Sequence, residues 1–387
     1  MTRAGLRFTK PGRISALQAM TSIFPPLRAI CGLFWVTLFC LFSTSCQRDP
    51  AAGQATGSAQ AASTPQSKAS GQDRGVEVIV LGTAQDAGLP HIGCTKANCE
   101  RARTEGRREK VSCLGVRGQT GWWMLDATPD FTAQVHLMNE LAPAQQPGAE
   151  GENDGGFDLP DGIFLTHAHI GHYTGLMYLG REALGAKGVP LWCGDRLADF
   201  MRSNGPWDQL LELGQVELNP LYPNQAVELE PGLTLTPLSV PHRDEYSNTF
   251  GFYLEHVGGG AVLFIPDIDQ WHKWERDLAE FLKPGTTLLI DGTFYSGDEL
   301  PHRDLSEIPH PLVSSTMELL EQSPAIPSHN KWPFRVGFIH INHSNPLWDR
   351  QSEQYRDLHQ RGFFVADEGM RFWVSEPPPT GPPPQNR

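Results

Sequence analysis

Nine short apolar runs, most of them rich in β-branched residues, recur between Val76 and Ile341, and several end on an Asp or a His. They are Val76–Leu81, Gly121–Asp126, Gly162–His167, Val189–Cys193, Leu233–Val240, Thr249–Glu255, Ala261–Asp267, Thr287–Asp291 and Arg335–Ile341. Runs of this length and makeup predict strands. Helical patterns fall near 172–185, 196–203, 271–282, 312–322 and 349–360. Strands mixed with helices imply a layered α/β fold. A polar side chain at a strand's end can leave the core, so functional residues are expected along one edge of the sheets.

Composition bounds what such a fold can do. The 387 residues, 39% of them hydrophobic, supply a sizeable core and exclude wholesale disorder. The length allows two domains or one large one. A formal net charge of -13 argues against a nucleic-acid partner, which needs a basic surface for phosphates.

The ends are read apart from the core. Residues 1–45 carry Arg3, Arg7, Lys10, Arg13 and Arg28 and no acid, and the apolar run Ile30–Phe42 follows Arg28 closely. Thirteen apolar residues are short for a bilayer span and suit a signal-peptide core. Ser43-Thr44-Ser45-Cys46 resembles a bacterial lipoprotein cleavage box, with Ser43 where that pattern prefers Leu. The expectation is an exported lipoprotein held to a membrane at Cys46; an ordinary signal, an uncleaved anchor and a buried helix are the alternatives. Residues 1–46 are thus a leader and 47–75, mostly small and polar, a tether. Residues 376–387 form a tail with six prolines. One domain, 76–375, remains, with Pro147–Gly156 as a surface loop insertion. Losing the five leader cations takes the net charge from -13 to -18.

Chemistry concentrates in Thr166-His167-Ala168-His169-Ile170-Gly171-His172, directly after a predicted strand. His167 and His169 face one side of an extended stretch, and His172 opens the next helix. Neutral imidazoles at this density suit Zn, Mn or Fe. This run resembles the His-x-His-x-Asp-His signature of the metallo-β-lactamase superfamily, with Gly171 in place of the Asp. Further landmarks follow in that family's order: His242 after Pro241, Asp267 at the end of Leu263–Asp267, and His340 after Phe338-Ile339. Asp126 matches the Asp that braces the metal-site loop, and Asp269 competes with Asp267. The resemblance covers about 76–375 and implies an αββα sandwich with its site at one edge. It implies a first metal on His167, His169 and His242. A second would rest on His172, Asp267 and His340, short of one carboxylate.

A narrower likeness lies in the loop after the first run, from Gly82-Thr83-Ala84-Gln85-Asp86 through Cys94 and Cys99 to Arg101-Ala102-Arg103. It resembles the superfamily branch holding the PQQ-biosynthesis B protein and the cyclic phosphodiesterase of phosphonate breakdown. Asp291-Gly292-Thr293, His340–Pro346 and Asp367-Glu368-Gly369-Met370 match it as well. That branch carries a structural zinc on a Cys-x-Cys-x-x-Cys loop. Here Lys96 replaces the middle Cys, leaving Cys94, Cys99 and His343, with His91 as a candidate fourth ligand. A disulfide or free thiols are the alternatives for Cys94 and Cys99. Cys113 and Cys193 read as packed thiols.

Three functions follow from the resemblance. The first is a metal-dependent hydrolase acting on a phosphodiester or related ester, with Asp267 holding the nucleophile and His310 as general acid, His302 second. The second is an iron-dependent oxygenase like the PQQ-biosynthesis B protein, acting on a peptide precursor. That relative lacks several of the histidines kept here. The third is a metal-binding envelope protein without catalysis. A small molecule or a peptide is the expected substrate.

Overall fold

The computed structural model describes residues 75–142, 158–301, 303–304, 307–326 and 332–376. The leader, nearly all of the tether, the tail beyond residue 376, the 147–156 loop and His302 lie outside the described residues. No helix among the described residues is long and apolar enough to cross a membrane.

The strands build two seven-stranded sheets. The first holds β1 (Val76–Gly82), β2 (Cys113–Arg117), β3 (Trp122–Leu125), β4 (Gly162–Phe164), β5 (Val189–Cys193) and β6 (Val216–Pro220). The second holds β7 (Val227–Glu230), β8 (Leu233–Ser239), β9 (Phe250–His256), β10 (Ala261–Ile265), β11 (Thr286–Asp291), β12 (Arg335–Ile339) and β13 (Phe364–Val365). The last strand, β14 (Arg371–Ser375), returns to the first sheet and pairs antiparallel with β1. The orders are β14-β1-β2-β3-β4-β5-β6 and β13-β12-β11-β10-β9-β8-β7.

Every residue of β1 is buried, because both faces of the sheet are covered. Val78 and Val80 enter the core between the sheets, with Phe164, Phe252, Phe264 and Leu289. Ile79 and Leu81 point the other way, under α2 (Phe131–Leu141) and α4 (Asp195–Ser203). Such strands read as unbroken apolar runs rather than alternating ones. Phe164 stacks on Trp192 at 4.5 Å and meets Phe252 of the opposite sheet edge-on at 6.1 Å. On the outer face of the second sheet, α6 (Val313–Glu321) and α7 (Glu353–Gln360) cover Leu288, Ile290, Val336 and Phe338. The layers are helix, sheet, sheet, helix, the αββα sandwich that the resemblance implied.

All nine expected strands form, and three of them, β3, β4 and β10, stop short of the polar residue expected at their ends. Two helical expectations are corrected: instead of a helix over 172–185 there is a short α-helix, Ile170–Tyr173, followed by a 3-10 helix, Thr174–Leu179. Residues 271–282 form two 3-10 turns, Trp271–Lys273 and Leu278–Phe281, instead of a helix. The indole N–H of Trp271 donates to Thr316 and that of Trp274 to the Ser239 carbonyl, which pulls the segment onto its neighbours. Asp277 then starts the second turn with a capping box.

Strand direction places the site. β3, β4 and β5 run parallel, as do β10, β11 and β12. β8 runs with β10, since each is antiparallel to β9. Asp126, His167, His242, Asp267, Asp291 and His340 all sit at or just beyond the C-terminal ends of these strands.

Candidate metal centre

The histidine run folds locally as its spacing predicts. Thr166 and His167 lie beyond β4, His169 precedes α3 (Ile170–Tyr173), and His172 lies within that helix. Three ring nitrogens converge: His169 Nδ1 lies 2.8 Å from His167 Nε2 and 3.2 Å from His242 Nε2. Asp267 Oδ2 is 3.4 Å from His167 Nε2 and 3.3 Å from His242 Nε2. Ligand atoms set tetrahedrally at about 2.0–2.1 Å from a cation stand roughly 3.3 Å apart. Three of these contacts, at 3.2–3.4 Å, have that spacing, and the His167–His169 pair at 2.8 Å is closer.

The outer nitrogens explain why the inner lone pairs point inwards. Asp126, fully buried, accepts from the Thr166 N–H at 2.8 Å, from the Thr166 hydroxyl at 2.9 Å and from His172 Nδ1 at 2.8 Å. With its proton given to Asp126, the Thr166 hydroxyl accepts from His167 Nδ1 at 3.0 Å. Both rings therefore carry hydrogen on Nδ1 and a free Nε2. Glu245 Oε2 holds His169 Nε2 at 3.1 Å, so Nδ1 faces the cluster. Thr293 Oγ1 lies 3.0 Å from His340 Nδ1 and donates to the His340 carbonyl.

A second group gathers round the other side of Asp267 Oδ2, which lies 3.8 Å from His172 Nε2 and 3.9 Å from His340 Nε2. Both nitrogens are fully buried and have no hydrogen-bond partner. Two buried imidazole nitrogens left without partners are costly, whether they hold a lone pair or a proton, unless something binds them. The donor set, imidazole and carboxylate, fits a divalent cation.

Electrostatics point the same way. Burial and the neighbouring His172 hold His167 well below its ordinary pKa, and burial lowers His169 and His340. All three are ready as neutral ligands. Burial disfavours a charged His172, but Asp126, Asp86 and Asp267 outweigh it and push the ring up to about 9. A cation at Nε2 would replace that proton. Burial alone would raise Asp267, yet His242, His310 and His340 hold its carboxyl well below the usual range.

His310 belongs to the same cluster. Its Nδ1 lies 2.9 Å from Asp291 Oδ2 and 3.2 Å from Asp267 Oδ1. These two carboxylates overcome burial and raise His310 to about 9. Asp269, the competitor of Asp267, pairs instead with Lys273 at 2.6 Å.

The expectation that the second position lacks a carboxylate is corrected. Asp86 reaches it from the loop after β1, and Asp86, His172 and His340 each offer an atom within 4.8 Å of the others. Asp86 lies within the Gly82–Asp86 loop motif, and no residue spacing there signals a ligand. Its neighbour across the site, Gly171, lies 85 positions on in the chain.

The second candidate site forms where that loop meets the segment after β12. Cys94, Cys99 and His343 offer ligand atoms within 4.8 Å of one another, and both cysteines are thiols. Cys99 Sγ is 3.6 Å from His343 Nδ1. His91 stacks on His343 at 4.3 Å and its backbone N–H donates to Cys99 Sγ. Its Nδ1 is turned to the Ile92 carbonyl at 2.9 Å, so the three convergent atoms do not include it. Cys113 and Cys193 are buried in the core below the first sheet.

The sequence profile of the β-lactamase superfamily domain matches residues 121–341. Coenzyme PQQ synthesis protein B of Stutzerimonas stutzeri is 28% identical over 330 residues, covering 76% of this chain and 99% of that protein. The protein of the same name from Pseudomonas fluorescens is 28% identical over 323 residues, covering 76% and 98%. Among solved structures, Zn(2+)-bound PqqB from Methylobacterium extorquens superposes with a TM-score of 0.62 at 22% identity, covering 76% of this chain and 99% of its own. A diphosphatase of the PhnP family does so with 0.52 at 20% identity, covering 76% and 96%.

Proposed function

Because the chain belongs to the β-lactamase superfamily, we propose that it is a metal-dependent hydrolase, acting on a phosphodiester or related ester. The observation that carries this reading is the convergence of His167 Nε2, His169 Nδ1, His242 Nε2 and Asp267 Oδ2 at ligand spacing. His167, His169, His242 and Asp267 would hold a divalent cation, which would supply activation of water at neutral pH and neutralisation of charge developing on the substrate. Asp267, ionised and central, orients that nucleophile. His310, protonated and braced by Asp291, is placed to give a proton to the leaving group.

The test is turnover of bis-p-nitrophenyl phosphate by the purified chain loaded with Zn or Mn. His169→Ala is expected to bring turnover down to the buffer rate, and His310→Ala to lower kcat by about 10²–10⁴-fold. Turnover that survives His169→Ala would sink the reading. The PQQ synthesis relatives, matched over 98–99% of their length, support a second reading, a role like that of coenzyme PQQ synthesis protein B, for which the resemblance implies an iron-dependent oxygenase acting on a peptide precursor. Iron as the bound metal with oxygen uptake, and no ester hydrolysis, would select it.

A further inference from the structure

The position that the signature gives to an Asp is Gly171, yet the space is not empty. A Cβ built on Gly171 would lie 2.3 Å from Asp86 Oδ1 and 2.6 Å from Asp86 Cα. No side chain fits at 171 while Asp86 stands where it does. The glycine and the acid are one arrangement: the residue without a side chain makes room for a carboxylate arriving from another loop.

That loop is fastened where it matters. The Gln85 N–H donates to the Ile341 carbonyl at 3.0 Å, and the Gly88 N–H to the Gln85 carbonyl at 2.9 Å. Ala84 bridges to both Val111 and Ile341. The side chain of Asn342 donates to that of Gln85. The loop is therefore tied to the residues flanking His340. Asp86 itself has φ 22°, in the half-plane that favours glycine, and His340 has φ 63°. Backbone held there marks a position whose surroundings over-determine it. Asp86 Oδ1 is buried without a hydrogen-bond partner, 3.8 Å from His172 Nε2. His172 Nε2 and His340 Nε2, fully buried and equally unpartnered, face the same point.

We propose that Asp86 is a metal ligand, and that with His172, His340 and Asp267 it completes a second cation position beside the first. The carboxylate missing from the histidine run is supplied from the loop after β1, so the charge balance of a two-cation centre is kept. This rests on the metal-dependent reading above and adds a ligand to it.

The test counts metal rather than turnover. The full chain is stripped with chelator, reloaded with Zn²⁺, and its metal content and binding isotherm are measured. Cobalt absorption of the Co²⁺-loaded chain reports the ligand set. Asp86→Ala is expected to lose one equivalent, or to bind it at least about tenfold more weakly. Asp86→Asn, which tolerates the same backbone and keeps one oxygen, should weaken it by less. Circular dichroism before loading checks that each variant is folded. Unchanged stoichiometry and affinity in both folded variants overturn the assignment of Asp86 and leave the hydrolase reading standing. A wild-type cluster that takes a single cation, with hydrolysis, also overturns it. A cluster that takes none overturns the hydrolase reading itself.

Discussion

Asp126 shows how one side chain sets the chemistry of others. It stands at φ 69° beyond the end of β3 and spends its acceptors on Thr166 and His172. Through the Thr166 hydroxyl it also determines the tautomer of His167. Asp126→Ala would leave the His172 Nδ1–H and the Thr166 N–H buried and unpaired, at about 1–3 kcal/mol each. The expected result is a lower melting temperature together with metal affinity reduced by about 10–100-fold. Isothermal titration of the folded variant checks it, and affinity equal to wild type would refute the bracing role. Among the described residues, the four non-glycine residues with positive φ are Asp86, Asp126, Asn224 and His340, and three of them face the cluster. Asp and His pass into that region more easily than β-branched residues do, so the sequence carries no outward sign of it.

Among elements, the ends of strands carry the site and the loops between them complete it. The strands β1, β3, β4, β10 and β11 are legible because burial on both faces leaves an unbroken apolar run. β2 is not, since Gly115 interrupts it to admit the Met138 sulfur. β6 and β7 were missed because they are edge-side and half-polar, with burial patterns that alternate or face solvent. The cysteine loop makes a prediction at this scale. Zinc needs both thiols ionised, and burial raises Cys99 above its ordinary pKa despite the His91 N–H. Burial, then His91 and Lys96, push His343 down to about 4, so that ring stays neutral and available in mild acid. Zinc binding should therefore release protons at neutral pH, and acid should return them and free the metal. Between about pH 8 and about pH 5, a chromogenic chelator should detect one equivalent leaving wild type that Cys99→Ala never holds. Zinc retained equally by both proteins across that range would remove the loop as a site.

At the scale of the whole molecule, the closure of two sheets brings the first sheet's histidines against the second sheet's Asp267, His242 and His340. The first-sheet and second-sheet ligands come from residues 167–172 and 242–340, and neither group is a site without the other. Location is a matter of the whole chain as well. We propose that it is exported and tethered through lipid on Cys46. Cells grown with labelled palmitate should mark the wild-type chain, and Cys46→Ala should lose both the label and the membrane fraction. Label that persists in the variant would refute the anchor. The sequence by itself determined what is local: the alternation of strands and helices, the His-x-His spacing and the closeness of Cys94 to Cys99. These are contiguous, and chain geometry alone places their side chains. Only the tertiary structure decided that Asp267 rather than Asp269 turns into the cluster, that His310 pairs with Asp291, and that Asp86 occupies the room left by Gly171. Each of those depends on two distant backbones meeting within a few ångströms, which the packing of the sheets sets and residue spacing does not.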